Sequence, residues 1–94
     1  MTKIYIYCLF DRLDQFLGVY SSLRSVHRDA LGICNTGTVP VRIIEVDPET
    51  NMPTVAHACT LTNLRNLFKG RCDLQIKYQS NRDMVKIYKT KLRE

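Results

Sequence analysis

The sequence predicts an α+β domain, residues 1–94, of order ββα–ββα–ββ: a mainly antiparallel sheet with two helices on one face. Three observations predict it. Short stretches with period-two apolar alternation recur between polar turns. Two further stretches repeat apolar residues at helical spacing behind a Ser or Thr. The run of strand, acidic turn, strand, capped helix and Gly over residues 3–37 recurs over 39–70, ahead of a final hairpin.

Taken in order, "KIYIYCLF" (3–10) alternates Ile4, Ile6, Cys8 and Phe10 with Lys3, Tyr5, Tyr7 and Leu9. The first set is expected against the helices and the second on the open face. "DRLDQ" (11–15) is a turn and "FLGVY" (16–20) a second strand. Ser21 or Ser22 caps a helix whose stripe is Leu23, Val26, Ala30, Ile33 and Cys34, and "NTG" (35–37) ends it. "VPVRIIEV" (39–46) is a third strand, with Pro40 pointing to an edge or a strand start. After the turn at 47–53, "TVAHAC" (54–59) is a weaker fourth. Thr60 or Thr62 then caps a helix carrying Leu61, Leu64, Leu67 and Phe68, closed by Gly70. "CDLQIKY" (72–78) turns Cys72, Leu74, Ile76 and Tyr78 inward, and "MVKIYKTKL" (84–92) returns as the last strand.

Charge is uneven. Residues 1–64 carry five Lys/Arg against six Asp/Glu, whereas residues 65–94 carry nine against three, so the net +5 belongs to the C-terminal third. The longest apolar run, "IYIYCLF", is far short of the ~20 residues that span a bilayer and lacks a small-residue cleavage site. An intracellular, cytoplasmic chain without membrane partners is expected. Cys8, Cys34, Cys59 and Cys72 form no C-x-x-C pair and lie in apolar stretches, which favours reduced core thiols over disulfides or, with His27 and His57, a metal site.

Catalytic patterns are absent. The carboxylate pairs Asp11/Asp14 and Asp47/Glu49 fall in turns, His27 lies at the margin of a helix stripe, and no phosphate-binding glycine motif occurs. No cofactor is expected. Two binding surfaces remain. An open face bearing Tyr5, Tyr7, Leu9, Leu17, Val19 and Ile44 would be unusually apolar for a small monomer, which implies a protein partner or a second copy through the sheet face or an edge. Its partner-binding candidates are Tyr5, Tyr7 and Tyr88, with Arg24 and Arg28 on the solvent side of the first helix. Alternatively, Lys3, Lys77, Arg82, Lys86, Lys89 and Lys91, interleaved with tyrosines, would contact DNA or RNA. "KGRCDLQIKY" does not fit the RNA-recognition strand pattern, since Arg71, Cys72 and Asp73 stand where aromatics belong.

The stretch "KIYIYCLFD…FLGVYSSLRSVHRDA" resembles the opening of many small bacteriophage-encoded accessory proteins over residues 3–34. The resemblance implies a viral role in which a small chain binds and inhibits or redirects a host protein, such as a defence nuclease complex, without catalysis.

Overall fold

The computed structural model describes residues 4–34, 40–46, 49–50, 52–80 and 83–92. The elements run β1 (Tyr5–Asp11), β2 (Phe16–Tyr20), α1 (Leu23–Cys34), β3 (Arg42–Val46), β4 (Pro53–Ala58), α2 (Leu61–Phe68), β5 (Leu74–Gln79) and β6 (Met84–Lys91). This is the expected order. Its local causes are also those in the sequence. Asp11 Oδ1 accepts from the Leu13 and Gln15 amides and folds the first turn, with Asp14 in the left-handed region. Ser22 Oγ accepts from the Ser25 amide at the start of α1. Thr60 is extended, and its Oγ1 accepts from the Asn63 amide at 3.1 Å to cap α2. Gly70, at φ 69°, ends that helix. The helix end expected at 35–37 lies outside the described residues.

The strands form one antiparallel sheet in the order β2-β1-β6-β5-β3-β4. Each ββα unit puts its first strand inside and its second at an edge, and the C-terminal hairpin sits between the units. The strand positions therefore repeat about the β6–β5 pair, in line with the repeat seen in the sequence.

The register defines the faces. Ile76 pairs with Ile87, Tyr78 with Val85 and Ile43, and Leu9 with Ile87. All of these are buried in one core with Val26, Ala30 and Cys34 of α1 and Leu64 and Phe68 of α2. The inward set of β5 is as expected. Ile33 departs from the α1 stripe and is 39% exposed, while Leu23 is half-buried.

The faces of β1 are the reverse of the expectation. Leu9 is 1% exposed, the Tyr7 ring lies 5.8 Å from that of Phe68 in α2, and Tyr5 lies beneath the Lys89 ammonium on the same side. Tyr5, Tyr7 and Leu9 therefore face the helices, and Ile6, Cys8 and Phe10 face away. Both sets are apolar, so alternation locates the strand without orienting it.

Candidate interaction surface

The uncovered sheet face follows from register. From one edge inwards it carries Leu17 and Val19 of β2, then Cys8 and Phe10 of β1, then Lys86 and Tyr88 of β6. Beyond these come Gln75 and Lys77 of β5, and Arg42 and Ile44 of β3. A register shift between Leu9 and Phe10 brings Phe16 opposite Phe10, and their rings meet edge-on at 5.8 Å. Phe16 is 58% exposed, Leu17 45% and Val19 54%. The β2 end of the face is therefore apolar and open to solvent.

Further in, the face is basic. Lys77 stands directly across from Lys86, an arrangement that like charges disfavour. Asp14 relieves it by reaching from the β1–β2 turn to pair with Lys86. Lys77 and Arg42 keep their charges without an ionic partner among the described residues. Tyr88 is half-buried here and donates to Asp73 Oδ1 at 3.0 Å, an oxygen that also accepts from Thr90.

The other candidates are dispersed. Arg24 and Arg28 are exposed on α1, and Arg28 lies 3.5 Å from Asp29. Lys91 is exposed at the end of β6, opposite Tyr5. Lys3 and Arg82 lie outside the described residues. Lys89 is corrected outright: it is 7% exposed on the helix side, and its Nζ donates to the Phe68 carbonyl at 2.7 Å. Its ammonium lies 4.6 Å from the Tyr5 ring centre. It spans from β6 to the C-terminus of α2, where a cation meets the negative end of the helix. Burial lowers its pKa. A phosphate cannot reach it there, and Tyr5 and Tyr7 are likewise unavailable as stacking platforms. The residues that pattern reading missed are Phe10 and Phe16. Strict alternation hides both, because the shifted pairing and the reversed faces of β1 are tertiary outcomes.

A polar chain crosses the core at the other end of the sheet. The Tyr78 side chain is fully buried, with its hydroxyl 2.5 Å from His27 Nδ1. The thiol of Cys34 donates to the Tyr78 carbonyl at 3.6 Å. Burial lowers the pKa of His27, raises that of Tyr78, and pushes the Cys34 and Cys59 thiols up to about 11. All four groups are thus held neutral, the reverse of the thiolate–imidazolium pair that cysteine nucleophiles use. Cys59 also lines an open pocket of about 390 Å³ with Leu31, Val41, Arg42 and Thr60.

Among the described residues, no group of three metal-ligating side chains comes together, and no helix is long and apolar enough to cross a membrane. No protein family matches the chain, and no curated protein or solved structure shows significant similarity to it.

Proposed function

We propose that this chain is a non-enzymatic binding protein that docks on a partner protein through the open face of its sheet. One observation carries the reading: exposed apolar side chains at the β2 end of the face, continuous with the cations Lys77 and Arg42. Such a surface fits a partner that presents apolar side chains beside carboxylates. The phage setting, in which the partner is a host protein such as a defence nuclease complex, rests on the resemblance of residues 3–34. Aliphatic Leu17 and Val19 favour protein over nucleic acid, and burial of Lys89 with pairing of Lys86 removes two of the cations on which a phosphate track would depend.

The test is capture from host lysate by the immobilised chain, run beside the double variant Lys77→Glu/Arg42→Glu. The expected result is a stoichiometric protein retained by the native chain and lost by the variant. Failure to retain any such protein, or equal retention by both, counts against the reading. A second reading, single-stranded nucleic acid, is favoured by the Phe10–Phe16 ring pair lying on the same face as Lys77 and Arg42. It requires an electrophoretic shift that weakens steeply with salt, and no shift at low salt removes it.

A further inference from the structure

We propose that Lys77 and Lys86 form a binding site for a carboxylate of the docked protein, and that Asp14 is the resident group which this carboxylate displaces. The inference rests on the open-face docking reading and names the site within that face and what occupies it beforehand.

The β1–β2 turn is folded by Asp11. Its Oδ1 accepts from the Leu13 and Gln15 amides, its own amide donates to the Gln15 carbonyl at 3.0 Å, and its carbonyl accepts from the Asp14 amide at 3.1 Å. The Asp14 carboxylate takes no part in these bonds and meets Lys86 instead. The pair is unequal, since the Lys86 side chain is 13% exposed and that of Asp14 72%. The cation is thus sunk in the sheet face, while its partner hangs from a solvent-exposed turn. An ion pair open to water on one side is worth little, and a released Asp14 returns to solvent that it already largely contacts.

One carboxylate on one of two cations leaves a charge unanswered. Lys77 stands directly across from Lys86, with no ionic partner among the described residues. Facing Cβ atoms of neighbouring strands lie about 4.5–5.5 Å apart, so two lysine stems can converge on one carboxylate. An incoming carboxylate that bridges both ammoniums gains a charge-assisted bond that Asp14 does not make. The flanking side chains show what else the ligand presents. Ile44 lies beside Lys77 in the register, and Phe10 beside Lys86. The occupant is therefore an acidic side chain with apolar neighbours in a protein segment. A second copy of this face would set cation against cation.

Fluorescence anisotropy of a labelled peptide alternating glutamate with leucine, titrated with the purified chain at low salt, tests this. The native chain is expected to bind it and not its glutamine counterpart. Asparagine tolerates the left-handed backbone at φ 61° as aspartate does, and Asp14→Asn is expected to tighten binding about two- to fivefold. Lys77→Gln is expected to weaken binding. Asp29→Asn makes the same change in net charge on α1 and is expected to leave the affinity unchanged. Equal binding of both peptides, no gain from Asp14→Asn, no loss from Lys77→Gln, or an equal gain from Asp29→Asn overturns the proposal. So does tighter binding of oligothymidylate than of the peptide, which makes phosphate the anion. Should Asp14→Asn fail to fold by circular dichroism, carboxyl-carbon NMR of the native chain decides: saturating peptide must move the Asp14 resonance, and an unmoved resonance refutes displacement. Displacement by the peptide without a captured host protein strikes the docking reading alone, and capture without displacement strikes this inference alone.

Discussion

Replacing Tyr78 by Phe removes one oxygen atom from the core and leaves the ring packing intact. That hydroxyl ties β5 to α1 through His27, among otherwise apolar inward side chains. The phenol donates and the neutral imidazole accepts at Nδ1, leaving His27 protonated on Nε2. The variant loses this bond, worth about 0.5–1.5 kcal/mol net, and leaves Nδ1 unpaired at a cost that water reaching one edge of the half-buried imidazole lessens. The expected loss is about 1–2 kcal/mol, or a fall in Tm of roughly 5–15 °C for a domain of this size. Urea unfolding followed by far-UV circular dichroism measures it, with an unchanged denaturant slope showing that the same surface is exposed. A variant as stable as the native protein, or more so, would falsify the account of the polar chain. So would NMR evidence that native His27 carries its proton on Nδ1.

Three further outcomes are expected. Burial holds the pKa of His27 below its ordinary 6.5, so the unfolded chain takes up the proton first; stability falls as pH drops from about 7 through the lowered native value. In His27→Leu that part of the decline is absent, and urea midpoints with identical pH dependence in the two proteins would contradict the assignment. Lys89→Met keeps the packing of the stem, and the Phe68 carbonyl retains the Arg71 amide at 3.1 Å, so it is expected to lie within about 1 kcal/mol of native or above it; a loss beyond about 3 kcal/mol by chemical denaturation would show that the ammonium itself holds α2. Thr60→Ala removes the α2 cap and is expected to cost about 1 kcal/mol, with faster amide exchange confined to the first turn of that helix; unchanged exchange at Asn63 speaks against a cap.

Much of the fold was legible because each element carries its own signal. Alternation in Leu74, Ile76 and Tyr78 gave both the place and the facing of β5, since polar Gln75 and Lys77 occupy the other side. The first strand shows where that logic stops. "YIYCLF" is apolar at every position, so its location was plain while its facing depended on Phe68 and Lys89, which are distant in sequence. Lys89 misleads for a related reason. A lysine in an alternating strand ordinarily marks solvent, but here its stem crosses the core to reach a helix carbonyl. The candidate surface inherited both reversals: Leu17, Val19 and Lys77 were found on the correct face, Tyr5 and Tyr7 were not, and Phe16 emerged only with the shifted β1–β2 pairing.

The strand order β2-β1-β6-β5-β3-β4 bears on how the molecule comes into being. Each ββα unit can close its own hairpin early, but their inner strands β1 and β3 never touch and are bridged only by the last two strands made. During synthesis the two half-sheets must therefore wait, with the inner edges of β1 and β3 unpaired, until residues 74–91 have emerged to fill the gap. Such late, long-range closure is slow and leaves sticky strand edges open meanwhile. Without the β5–β6 hairpin the two units would be left to meet through the α1–α2 contact and the Tyr7–Phe68 ring pair, with the centre of the core missing.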